Sequence, residues 1–503
     1  MTSPRLTGSL DPVGPARYAR RMRRLSPVRS AALPLALTLA LSASAACAFA
    51  QTSEDPFPTP ISATADVVRV GLTDFATLPD VGGQPVRMML LADEPGTKRL
   101  FVNDMRGGLF GVSYDGKTVA PYLDINADRW NVRVQSQGNE RGFQSFAFHP
   151  QFAQRGAAGF GKFYTWSDVS RMDPAPDYTF TGEGTPTHDT VLLEWTAKDP
   201  SAAAYDGDAP REMLRLRQPF QNHNGGHLTF NLLARPGTPD YGLLYLGIAD
   251  GGSGGDPMRM SQNLATPFGK VFRIDPLGKN GPGGKYGIPA SNPFVSDNDP
   301  KTLGEIYASG VRNPQRFGWD SKTNNLYVAD IGQNIIEEIS LVPRGGNLGW
   351  NEWEASYKFI DRTHLDMTKR RGDPKMTFPM VEFDHKDALF PIGRVAVTGV
   401  VVSRGTKIPQ LANLLIFGDN PSGEVFYVSA DLPHLGGQDP IRRILFTRPG
   451  QTQGVKFLDV IQEKNAAQGR SKAARADLRF GTGPNGQIFL LNKQDGVIRL
   501  LTR

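Results

Sequence analysis

Six short apolar triplets recur along the chain, and no other feature restricts the fold as much. They are Leu100-Phe101-Val102, Phe163-Tyr164-Thr165, Leu244-Tyr245-Leu246, Leu326-Tyr327-Val328, Leu415-Ile416-Phe417 and Ile488-Phe489-Leu490. Most follow a turn and run into Asp or Asn, at Asp104, Asp168, Asp250, Asp330, Asp419 and Asn492. From Gln51 onward Gly and Pro punctuate short strand-like runs, and long 3.6-period helices are scarce, which predicts an all-β fold. The triplets start 63, 81, 82, 89 and 73 residues apart, more than the roughly 40 to 50 of a minimal propeller blade, so long loops must absorb the excess. Four-stranded sheets repeated radially protect their edges without disulfides and gather loops at one mouth of a central channel. The expected architecture is a six-bladed β-propeller over residues 81–503, preceded by an N-terminal extension over 51–80. A pair of β-sandwiches would not explain a sixfold recurrence.

The formal charge of +6 points to a basic protein only at first sight. Residues 1–50 hold seven Arg against one Asp, so they account for the whole excess and the remainder is neutral. Neither a nucleic-acid partner nor an anionic membrane surface is expected on charge grounds. The arginines at 20–29, the Leu/Ala run at 31–46 and Ala48-Phe49-Ala50 read as an export signal over 1–50. The apolar run is too short to serve comfortably as a membrane anchor. The single cysteine, Cys47, falls inside this leader; the mature chain would have neither thiol nor disulfide. A periplasmic or secreted location is expected, with no membrane insertion after cleavage.

Residues 221–256 form the densest polar cluster. Two apolar runs, 229–233 and 243–248, flank a Pro/Gly loop and predict an antiparallel hairpin. His223 would lie just before the first strand and Asp250 just after the second, at the same end and within hydrogen-bond reach. A histidine oriented by a carboxylate is a usable general base; equally, Asn/Gly/Asp turns need no chemistry. Arg312 sits in a loop fixed by Gly310 and Pro314, where its guanidinium could meet an oxyanion or a neighbouring blade's carboxylate. The oxygen-rich turn at 329–339 could build a calcium site from carbonyls and carboxylates, although most such turns bind nothing. Residues 168–208 and 461–477 read as surface insertions, the second with a short helical pattern and given no function. His188, His364 and His434 read as surface-loop residues.

In order along the chain stand ERGFQSFAFHPQF, NHNGGHLTF, LYLGIADGGSGGDP, GKVFRIDP, EIYASGVRNPQRFGWD, LYVADIGQNIIEEISLV, GGNLGW and FGDNPSGEVFYV. This ordered set resembles the soluble glucose/sorbosone dehydrogenase family, six-bladed propellers typified by sugar dehydrogenases that use pyrroloquinoline quinone and calcium. The family also includes the hedgehog-interacting-protein type of propeller, to which the VADIGQ…EEI stretch is the more similar. The resemblance implies that His223 is the catalytic base, that Asp250 orients it, and that Arg312 and Asn313 contact the quinone. It implies that backbone carbonyls of Gly332 and Gln333 hold calcium, and it places Glu140 near the cofactor. Two departures stand out. Asn420-Pro421-Ser422-Gly423 lacks the lysine that binds quinone carboxylates in the glucose enzyme, and Arg475 and Arg479 only loosely echo the arginine pair of the final blade.

The first expectation is therefore an exported quinone-dependent dehydrogenase that oxidises an aldose at its anomeric carbon to the lactone. With no CxxCH haem motif, its electrons must leave to an external acceptor. The second is a non-catalytic, calcium-containing propeller that binds a glycan or a protein. A lactonase-type hydrolase is the third.

Overall fold

A computed structural model describes residues 55–503. The leader lies outside the described residues. The architecture is nearly all-β, with a single α-helix, Phe457–Ala467, among the described elements. Strands pair in consecutive four-stranded antiparallel meanders spanning residues 88–124, 143–217, 228–309, 314–384 and 397–447. A sixth meander comprises Arg479–Thr482, Ile488–Leu491 and Val497–Thr502, and takes its outer strand from the other end of the chain, Val68–Thr77. That strand runs antiparallel to Val497–Thr502 and parallel to Arg442–Thr447 of the fifth meander. The stretch expected as an N-terminal extension thus contributes a full strand to the sheet.

All six apolar triplets lie in the second strand of their meander. Their burial follows from position, because a second strand is covered by sheet neighbours on both edges and by adjacent meanders on both faces. Each of six core clusters lies between two neighbouring meanders. Phe101 and Tyr122 of the first pack with Phe163 and Trp195 of the second, and Phe489 and Ile498 of the sixth pack with Leu91 and Val102 of the first. The first strands also touch in succession from Met88–Glu94 through to Arg479–Thr482 and back, with Leu244–Ile248 making the contact between the third and fourth meanders. These features define a β-propeller-like fold. Sheet faces bury one another, so the protein needs no helical layer.

Two expectations about insertions are corrected. Residues 168–208 contain the strand Asp189–Thr196, third in its meander and buried along nearly its whole length; its run DTVLLEWT is core, masked in the sequence by polar flanks. The stretch 461–477 is only partly a surface: Ile461 is fully buried against Phe446 and Leu490, and Phe457, just ahead of it, joins the same cluster. A further small sheet, Trp353–Glu354, Tyr357–Asp361 and His364–Asp366, is inserted before the last strand of the fourth meander.

Candidate active site

The repeated Asp at the end of each triplet strand has a mechanical role. Asp104, Asp168, Asp330 and Asp419 accept backbone N–H groups from the loop that enters the first strand of their own meander, at Arg87, Gly142, Arg312 with Asn313, and Ala396. Each carboxylate ties second strand to first at the same end of the propeller. In the third meander the tie is diverted to a side chain. There Asp250 Oδ1 lies 2.7 Å from His223 Nδ1.

The hairpin register accounts for this meeting. Leu228 pairs with Leu246 across the antiparallel strands Leu228–Phe230 and Leu244–Ile248, so the residues before one and after the other lie side by side. The guanidinium of Arg312 donates to His223 Nε2 at 2.9 Å. Because an arginine N–H can only donate, Nε2 is the acceptor and Nδ1 carries the proton given to Asp250. The second oxygen of Asp250 accepts the indole N–H of Trp350 at 2.9 Å. Burial by itself would raise the Asp250 carboxyl, but His223 and Arg312 outweigh it and hold it below the ordinary carboxylate range.

His223 adopts a left-handed backbone, φ 55°, an arrangement that costs about 1 kcal/mol or more in a residue other than glycine. Its N–H donates to Glu140 Oε2 at 2.8 Å. Arg312 also donates to the Ile331 carbonyl at 2.7 Å and to Gln333 Oε1 at 3.3 Å, and its guanidinium carbon lies 5.6 Å from the centre of the Trp350 ring. These side-chain partners are an imidazole and neutral oxygens. The nearby carboxylate, Asp330, is engaged by backbone N–H groups of Arg312 and Asn313 instead.

The array opens into a cavity of about 240 Å³ lined by Glu140, His223, Arg312, Asn313, Gly332 and Gln333 together with Asn420, Arg394, Arg475 and Arg479. All the residues singled out from the sequence except Asp250 line it, and Asp250 stands directly behind His223. Gly332 has no room for a side chain, since a Cβ would meet the Ile336 carbonyl oxygen at 1.6 Å. Three cavity groups stood outside the expected site. Arg475 lies within the supposedly functionless 461–477 stretch and Arg479 just after it, both only a loose echo of the family's arginine pair, and Arg394 belongs to no motif. Arg394 and Arg475 sit in loops entering a first strand, the same placement as Arg312, and Arg479 opens such a strand. Arg475 is held by Asp477 at 2.5 Å and donates to Asn420 Oδ1 at 2.8 Å. Arg479 is buried, with its Nε lacking a hydrogen-bond partner.

His188, expected on a surface loop, is fully buried and faces Asn224, with Nε2 and Nδ2 2.7 Å apart. Burial pushes its pKa down to about 3, so it is a neutral core histidine. Glu337, in the oxygen-rich turn, pairs with His385 at 2.7 Å. Among the described residues no group of three or more His, Cys, Asp or Glu side chains is arranged to hold a metal.

A radial all-β fold with a carboxylate-oriented histidine beside a guanidinium at the loop-bearing mouth defines a propeller of the sugar-dehydrogenase type. A model of the Glucose / Sorbosone dehydrogenase family matches residues 83–434, and the chain belongs to that family. It is 28% identical to the HIPL1 protein of Arabidopsis thaliana over 473 residues, covering 86% of this chain and 65% of that protein, so it spans just under two thirds of that relative's length. It is 30% identical to human Hedgehog-interacting protein over 254 residues, covering 49% of this chain and 31% of that protein. The PQQ-bound aldose sugar dehydrogenase of Streptomyces coelicolor shares the fold with a TM-score of 0.53 and 18% identity, over 86% of this chain and 97% of that one. Among the described residues no helix is long and apolar enough to cross a membrane.

Proposed function

We propose that the protein is an exported, quinone-dependent dehydrogenase that oxidises an aldose at its anomeric carbon to the lactone. The observation that carries this reading is the Asp250–His223–Arg312 array opening into a cavity with four arginines in its lining. In the same reading the six meanders are the blades of a closed six-bladed propeller.

The cavity suits a polycarboxylated quinone. Arg394, Arg475 and Arg479 place guanidinium groups in its lining, and the missing lysine near Asn420 is offset by that cationic lining. Calcium would be held by backbone oxygens of Gly332 and Gln333 with oxygens of the ligand, since among the described residues no acidic cluster is available. When bound, pyrroloquinoline quinone supplies the carbonyl that accepts a hydride, and calcium polarises it.

The protein's own part is proton transfer and orientation. His223 Nε2 takes the proton of the anomeric hydroxyl as the anomeric C–H leaves with its electron pair. Asp250 keeps the other ring proton on Nδ1 and stabilises the imidazolium that forms. Arg312 now occupies the Nε2 lone pair, so it must yield that lone pair to the substrate hydroxyl. Released from His223, its N–H can face negative charge developing on an oxygen in the cavity. Both electrons then pass to an external acceptor.

The test is a titration of calcium-loaded mature protein with pyrroloquinoline quinone, followed by dye reduction on a panel of aldoses. Saturable binding and sugar-dependent turnover are expected, with turnover falling by about 10³-fold in His223→Ala. No quinone binding at micromolar concentration would sink the proposal. The second reading, a non-catalytic propeller that binds a protein or glycan at the same mouth, draws support from the similarity to a protein named for interaction with Hedgehog.

A further inference from the structure

Below the candidate site, the channel along the propeller axis is lined by all six first strands and has a volume of about 340 Å³. Arg316 lies at its upper end. Its side chain reaches across the axis, donating to the carbonyl of Met89 in the first meander and to that of Gln315 in its own. Both partners are neutral, its Nε is buried without a partner, and the charged group that acts on it is another cation, Arg479. Arg479 is in the same condition: its NH1 donates to the carbonyl of Leu478, and its Nε is also buried and unpartnered. Thr398 Oγ1, on the first strand of the intervening meander, lies 3.5 Å from that NH1.

Two like-charged guanidiniums that are only 3% and 6% exposed are difficult to account for without a counter-charge. Arginine does not escape by losing its proton. Among the described residues no carboxylate acts on Arg316; Asp477 and Glu140 do act on Arg479, but Asp477 is already shared with Arg475, so the group is short of negative charge. A water molecule could satisfy an N–H but would leave the charge. Burial accordingly holds both guanidiniums below their ordinary pKa, Arg479 at about 10.

We infer that a small monovalent inorganic anion of halide size binds on the propeller axis between Arg316, in the lining of the axial channel, and Arg479, in the lining of the cavity above it. The site is independent of the quinone reading and would be present in quinone-free protein. Its role is to neutralise the junction of the fourth, fifth and sixth meanders where their first strands meet.

The test uses quinone-free mature protein at constant ionic strength. Thermal midpoints are compared in chloride, bromide and gluconate, and crystals grown in bromide are examined for anomalous scattering. A midpoint about 2 °C or more higher in halide is expected, with a bromide peak between the two guanidiniums. Arg316→Met should abolish both the halide dependence and the peak. If that variant fails to fold, the wild-type bromide map decides the question. No peak at this position, a midpoint indifferent to the anion, or a peak without any effect of halide on stability, which is an adventitious ion only, would each overturn the inference. Quinone titration is a separate readout, so loss of one proposal leaves the other standing.

Discussion

His223 has its backbone N–H and both ring nitrogens engaged: the N–H by Glu140, Nδ1 by Asp250 and Nε2 by Arg312. The left-handed backbone is what turns the ring from the hairpin end toward the cavity, and Glu140 offsets part of its strain. Asp250 is equally committed, with Oδ1 accepting from His223 and from the Gly252 N–H at 2.9 Å, and Oδ2 accepting from Trp350. Replacement by Asn puts an N–H₂ group against the indole N–H, which loses the Trp350 anchor, or against the ring N–H, which drives the imidazole to the other tautomer. Asp250→Asn should therefore lower sugar-dependent turnover by about 10²-fold or more while leaving the far-UV circular dichroism unchanged. Unaltered turnover would remove Asp250 from its orienting role. The depressed carboxyl contributes stability above the ordinary value of 3.8, lost only as pH falls through its lower folded pKa. Asp250 thus stays ionised across the working range.

The four backbone-tying aspartates show how a structural repeat becomes a site. Asp168, Asp330 and Asp419 are buried deeply enough that desolvation raises each to about 7, despite the N–H groups they accept. With folded pKa values above the unfolded value of 3.8, the folded chain binds more protons between roughly pH 4 and 7. Their stability contribution is full below the unfolded pKa and declines as pH rises through about 7. The thermal midpoint should fall as pH is raised from 5 to 8, and Asp168→Asn should flatten that dependence; calorimetry across the range checks both. A midpoint that climbs over this interval would show these carboxylates ionised in the folded protein. The recurrence of Asp after five of the six triplets was visible in the sequence. Its backbone-tying function was not, because the loops whose N–H groups donate to it lie 17 to 26 residues upstream, and only strand pairing brings them alongside.

The ring is closed by a strand from its own beginning. Val68–Thr77 buries Val70, Leu72 and Ala76 and pairs with strands of both the fifth and sixth meanders. At about 1.5 to 3 kcal/mol for each larger side chain, with the ladder hydrogen bonds added, its removal costs much of the roughly 5 to 15 kcal/mol that holds a domain folded. A chain beginning at Leu78 should lose its single cooperative unfolding transition, as followed by circular dichroism and calorimetry. A truncated chain that melts cooperatively at the parent temperature would show closure to be dispensable. The sequence by itself determined the all-β character, the six recurring apolar strands and the placing of His223 within reach of Asp250, because alternation, turn residues and hairpin register are local properties. It did not reveal that residues 68–77 complete the sixth sheet, that 189–196 is a core strand, or that Arg394, Arg475 and Arg479 join Arg312 around one cavity. Those relations link positions up to about 430 residues apart, and radial closure, which has no local signal, decides which distant loops share a mouth.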